Sequence, residues 1–191
     1  MERERAFEAE SESLSEIETA QAESFEPLSF SYRHGNRNAE ILLAQLADAT
    51  HPQVEFVESG APLTMKISAR FNIDVDDPVI GFLIRNRHGI SAFGTNTNEQ
   101  QLEIGAVGCG ETVEVTFAFN CWLGVDNYSI SCAVHSRDGE AYDWMEGVRF
   151  FRVTSSRLTE GIANLNATVT ARRLHTPASQ TQAELVETAQ V

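Results

Sequence analysis

Along much of this chain apolar and polar residues alternate one by one, the two-residue period of a strand with one buried face and one wet face. In the longest run Leu63, Met65, Ile67, Ala69, Phe71, Ile73 and Val75 alternate with Thr64, Lys66, Ser68, Arg70, Asn72 and Asp74, and Asp76-Asp77-Pro78 closes it. Val113, Val115, Phe117 and Phe119 alternate with Thr112, Glu114, Thr116 and Ala118. Tyr128, Ile130, Cys132 and Val134 do the same with Asn127, Ser129, Ser131, Ala133 and His135. Trp122-Leu123-Gly124 and Asp138-Gly139 read as turns, after which Trp144 and Phe150 to Val153 predict a further strand. Gly161 to Arg173 alternates more loosely through Ile162, Leu165, Ala167, Val169 and Ala171, and predicts a last one. Ala39 to Ala47 (AEILLAQLA) fits strand or helix, because Leu and Ala also suit a helix.

Pro78 to Thr97 reads PVIGFLIRNRHGISAFGTNT. An apolar run turns polar at Arg85, Asn86 and Arg87, His88-Gly89 supplies a turn, and Ile90 to Thr97 returns, which together form a hairpin signal. Short strands, regularly spaced turns and almost no helix predict an all-β fold, an antiparallel β-sandwich of immunoglobulin-like or jelly-roll type. Three segments are expected: an acidic N-terminal linker over 1–32, the sandwich over 33–173 and a polar tail over 174–191.

Charge narrows the partners. The 191 residues include 28 acidic and 14 basic side chains, a net charge of −14. Residues 1–27 hold nine Glu against two Arg, half of that total. Such a surface repels phosphate backbones and anionic lipid, so no nucleic-acid partner is expected. No apolar stretch approaches the roughly 20 residues that cross a bilayer, so no direct membrane insertion is expected, and the charged N-terminus is no signal peptide. Three cysteines in unrelated contexts (Cys109, Cys121 and Cys132) fit free thiols in a reducing compartment.

The residues that catalysis would need are not arrayed for it. Glycoside hydrolysis takes two carboxyls across one cleft, and Asp74, Asp76 and Asp77, or Asp138, Glu140 and Asp143, read more simply as strand-ending loops. There is no GxSxG elbow and no GxxxxGK[ST] phosphate loop. His34, His51, His88, His135 and His175 are scattered without metal-ligand spacing, so neither a metal nor a cofactor is expected. No catalytic residue is assigned.

The hairpin strand Val-x-Gly-Phe-x-Ile-Arg-Asn, its Gly turn and Phe93-Gly-Thr-Asn-Thr97 carry a further signal. With Arg33-His34-Gly35, Glu58-Ser-Gly-Ala-Pro-Leu-Thr64 and Val148-Arg-Phe-Phe-Arg-Val153, they resemble the C-terminal carbohydrate-binding domain of the ATPase subunit in O-antigen polysaccharide ABC exporters of the Wzt type. The resemblance covers about residues 33–155 and makes Ala39 to Ala47 the first strand. It implies a non-catalytic cytoplasmic domain, associated with the inner membrane through the transporter. Such a domain recognises the terminus of the O-polysaccharide glycan and works with the ABC transporter permease and ATPase domain. It also implies a homodimer, with Ala167 to Arg172 a candidate for pairing or exchange between copies. The family's upstream ATP-hydrolysing domain has no counterpart here, so the chain reads as a fragment or a stand-alone relative.

Sugars are held by stacking an aromatic ring on their C–H face and pairing planar polar groups with their hydroxyls. Asn127, Ser129, Ser131 and His135 form one outward polar row. Arg85 has outward parity if Phe82 and Ile84 point inward, and Phe93 is expected beside it. Tyr142 and Trp144 share a parity, and Trp144 is the expected stacking platform. Each has a plainer role open to it: solvent-facing Ser and Asn are ordinary, Trp144 suits a core, and Asn96 and Thr97 suit a turn cap. The alternative function is a structural immunoglobulin-like module whose exposed edges bind protein.

Overall fold

The computed structural model describes residues 27–173. The tail expected over 174–191 and most of the linker expected over 1–32 lie outside them. The strands are β1 (Tyr32–His34), β2 (Ala39–Ala47), β3 (Phe56–Glu58), β4 (Pro62–Phe71), β5 (Val75–Asp76), β6 (Val79–Asn86), β7 (Ser91–Asn96), β8 (Ala106–Val107), β9 (Thr112–Asn120), β10 (Asn127–His135) and β11 (Ala141–Thr154). The larger sheet runs β1-β11-β10-β6-β7, with β3 joining β11 in parallel, and the smaller runs β2-β4-β9. A two-stranded ribbon, β5-β8, sits apart, and every pair but β3–β11 is antiparallel. The fold is an all-β antiparallel sandwich, as the alternation predicts. Among the described residues no helix is long and apolar enough to cross a membrane.

Period two explains which faces meet. Leu63, Met65, Ile67, Ala69 and Phe71 of β4 are buried against Tyr128, Ile130, Cys132 and Val134 of β10 in one continuous core. Burying an Ile or Phe side chain stabilises the fold by about 1.5–3 kcal/mol, before the entropy of ordering it is subtracted.

Two expectations are corrected. The strand expected over Leu63 to Val75 stops at Phe71, because its partner β9 begins at Thr112, opposite Arg70. Ile73 is consequently exposed, and Val75 restarts as part of β5. The strand expected over Gly161 to Arg173 does not form: only Ala163 bridges, to Leu123, and Leu165 and Val169 are 87% and 93% exposed. Alternation there has no neighbouring edge to supply a ladder. Trp144 and Phe150 to Val153, conversely, belong to one long strand. Its pairing with β10 slips between Ile130 and Cys132, where Gly147 takes a φ of +63° that favours glycine.

One carboxylate ties the layers together. Asp143 of β11 points inward opposite Val134 and is fully buried. Arg33 of β1 donates to it from Nε (2.8 Å) and Nη2 (2.7 Å), and the amide of Ile41 on β2 donates at 2.7 Å. Arg37 adds a guanidinium at 3.6 Å. A neutral side-chain amide in place of this carboxylate would leave Arg33 without its counter-charge. Asp143→Asn is therefore expected to cost about 3 kcal/mol in urea denaturation, and a loss below about 1 kcal/mol would show that this pair does not anchor the sandwich.

Candidate functional site

Because Phe82 and Ile84 of β6 lie in the core, Gly81, Leu83 and Arg85 face outward. Pairing then sets what stands beside them. Gly81 is opposite Asn96 of β7 on one side and Ala133 of β10 on the other, and Ala133 is opposite Trp144 of β11. One row across four strands thus reads Asn96, Gly81, Ala133, Trp144: large, small, small, large. The neighbouring row reads Gly94, Leu83 and Ser131, two small residues on either side of one large one. The small residues leave a groove of about 240 Å³ open to solvent, rimmed by Asn96, Glu99, His135 and Trp144.

The rim has defined chemistry. Trp144 is braced on its β1 side by His34, stacked at 5.7 Å, which is itself stacked on Tyr32 at 5.5 Å. Its indole nitrogen is shielded and has no acceptor among the described residues, so Trp144 offers the groove a ring face and not a hydrogen bond. His135 Nδ1 lies 2.7 Å from the Ser136 carbonyl. That contact places the proton on Nδ1 and leaves Nε2 as an acceptor. Asn96 Oδ1 accepts from the Glu99 amide at 2.7 Å, the turn-capping role open to it, and its amide nitrogen remains a donor. Glu99 is the groove's one carboxylate, so the paired carboxyls of glycoside hydrolysis are not assembled there. Among the described residues no group of three or more His, Cys, Asp or Glu is placed to hold a metal ion.

The eight residues singled out from sequence divide on this face. Ser131, His135 and Trp144 line the groove. Ser129 and Arg85 lie next to it, paired across β10 and β6, with Arg85 3.6 Å from Glu146. Asn127 faces outward but stands four residues from Ser131, about 13 Å along the strand, beside Arg152. Phe93 is not beside Arg85. A bulge between Ile84 and Arg85 pairs it with Ile84, so it turns to the inner side, where its ring centre is 5.9 Å from that of Phe82. Tyr142 is not on the Trp144 face either. The register slip opposite Val134 and His135 makes it the extra residue of a bulge, and it is buried with the core. Burial, with Glu140 and Asp138 nearby, raises the pKa of its hydroxyl.

A family model for the Wzt C-terminal domain matches residues 31–165. The chain belongs to the Wzt C-terminal domain family. A crystal structure of the C-terminal domain of Wzt superposes with a TM-score of 0.69 at 19% identity, covering 76% of this chain and 93% of that one, a likeness of fold. A Niemann-Pick type C2 protein from the Japanese carpenter ant aligns with a TM-score of 0.48 at 6% identity, over 68% of this chain and all of its own. No curated protein sequence matches. Membership in the Wzt family makes the chain a non-catalytic domain of an O-antigen transporter.

In this Wzt-type domain sequence reasoning missed Gly81, Leu83, Gly94 and Glu99, and the bracing pair His34 and Tyr32. The available signal was glycine inside a strand pattern, which marks a place where something approaches closely. The two glycines differ in what they permit. A Cβ on Gly81 would lie 2.5 Å from Asn96 Cβ and 2.6 Å from the Thr95 carbonyl, whereas one on Gly94 would meet only the movable tip of Leu83 at 2.8 Å. Gly81→Ala is expected to cost about 1–3 kcal/mol in thermal or urea unfolding and Gly94→Ala less than about 1 kcal/mol. Equal costs would contradict this geometry.

Proposed function

We propose that this domain binds the terminus of an O-antigen polysaccharide chain in the groove between Asn96 and Trp144, and so selects chains for export by an ABC transporter. The observation that carries the reading is Trp144: an indole held on edge by His34, at the side of an open groove whose floor is glycine and alanine. A sugar ring laid in that groove stacks its C–H face on the indole, while His135 Nε2 and the Asn96 amide meet its hydroxyls. Ser131, Ser129 and Arg85 extend the polar surface toward the next residue of the chain. The transporter's permease and ATPase domain are the proposed partners, on the cytoplasmic side. The three free cysteines, two of them buried, support a reducing compartment.

A shallow polar site loses much of its gain to desolvation, so one copy binds weakly and two copies bind better through effective concentration. The proposed second copy pairs through Ala167 to Arg172, a stretch that forms no strand in the single chain and exposes Val169, with Leu165 exposed just before it. The free edge of β9 is a strand it can join.

Two outcomes are expected. Trp144→Ala weakens binding of purified O-polysaccharide by about tenfold or more in titration calorimetry, with the far-UV spectrum unchanged. Unaltered affinity in that variant would sink the reading. Replacing Leu165 and Val169 by Glu shifts the domain from dimer to monomer in light scattering, and a native domain that is already monomeric at high concentration would refute the pairing.

A further inference from the structure

Charge and hydrogen bonding around the groove decide which sugars it admits. No Lys or Arg lines it, and its one carboxylate, Glu99, stands exposed on the rim. Arg85, on the same face, is engaged by Glu146 at 3.6 Å. Beyond the loop, Arg137 is paired with Asp77 and lies 3.8 Å from Glu103.

Backbone amides offer no substitute cradle. The N–H of Glu99 donates to Asn96 Oδ1, that of Gln100 to the Asn96 carbonyl, that of Gln101 to the Asn98 carbonyl, and that of Leu102 to the Thr97 carbonyl. Four amides of the loop beside the groove are therefore spent on bonds within it. Anions in proteins are held by Arg or Lys forks, or by free N–H groups at helix starts and nests. No Arg or Lys fork and no helix start is among the groove's lining residues.

We propose that the groove takes a sugar residue without negative charge, neutral or amino, and rejects uronic acids and phosphorylated termini, with Glu99 as the specificity-determining residue. The proposal rests on the glycan reading above and sharpens it. An anionic sugar placed between Asn96 and Trp144 loses its hydration, finds no cationic partner, and faces the Glu99 carboxylate. A neutral sugar meets the His135 acceptor, the Asn96 amide donor, the Ser131 and Thr95 hydroxyls and the indole face. The selection works by repulsion as much as by attraction.

The test uses oligosaccharide pairs identical except that the terminal C6 is a hydroxymethyl group in one member and a carboxylate in the other. They are displayed on an array and the hits titrated at pH 8, above the ordinary titration range of imidazole. The native chain is expected to bind the neutral member about fivefold or more tightly, with the gap narrowing in about 1 M salt. Glu99→Lys, whose side chain leaves the backbone bonds of the loop intact, reverses the preference, and Glu99→Gln lessens it. Equal or tighter binding of the carboxylate member by the native chain overturns the proposal, as does an unchanged ratio in Glu99→Lys, and either leaves the glycan reading standing. Absence of binding to both members of every pair overturns the glycan reading and this proposal together.

Discussion

The Asp143 carboxylate accepts three hydrogen bonds in the interior, two from Arg33 and one from the Ile41 amide. Taking a carboxylate and a guanidinium out of water is costly, and the pair stabilises the fold only because nearly every lone pair it buries is satisfied. Its larger consequence is geometric. With Asp143 fixed inward, the next residue, Trp144, must face outward, since neighbours on a strand alternate. With Arg33 held on that carboxylate, β1 lies against β11, and His34 arrives opposite Trp144. The chain then turns back tightly at Gly35, whose φ of +131° puts it against the backbone of Tyr142, and the Arg37 amide donates to the Tyr142 carbonyl at 2.9 Å. One buried carboxylate thus holds β1 on β11 through Arg33, ties the larger sheet to β2 through the Ile41 amide, and places His34 beside the ring that lines the groove.

The groove is a product of register and not of a loop. It exists where β7, β6, β10 and β11 bring their smallest outward residues into line, so its floor is as rigid as the sheet. A preformed site of this kind avoids the entropy of ordering a loop, which matters for a ligand whose hydroxyls gain little on leaving water. The polar residues at its rim are held by short local bonds: His135 to the Ser136 carbonyl, and Asn96 to the Glu99 amide. Glu99 is the one carboxylate among the groove's lining residues.

The sandwich was legible because β4 and β9 bury one face more than the other, and β10, buried on both in its middle, still alternates large apolar with small residues. Arg85 could be placed outward from Phe82 and Ile84 by the same rule. β1 and β3 could not be seen, since three residues such as Tyr32-Arg33-His34 are too few to show a period. Phe93 and Tyr142 were misplaced for one physical reason: a bulge adds a residue and shifts the alternation that parity arguments depend on. The Gly81–Ala133 floor escaped notice because smallness becomes a cavity only when pairing aligns it with Gly94 and Ser131. Gly161 to Arg173 shows the converse, a strand-like pattern with no partner in a single chain.

The central claim is that a glycan end sits on the outer face of the larger sheet, against Trp144. Amide chemical-shift mapping by NMR, with O-polysaccharide fragments titrated into the isotopically labelled protein, tests it most directly. The account predicts shifts concentrated at Gly81, Gly94, Asn96, Ser131, Ala133 and Trp144, fading toward Asn127. Shifts centred on the outer face of β2-β4-β9, or at the mouth between the sheets around Phe93 and Phe119, would contradict it.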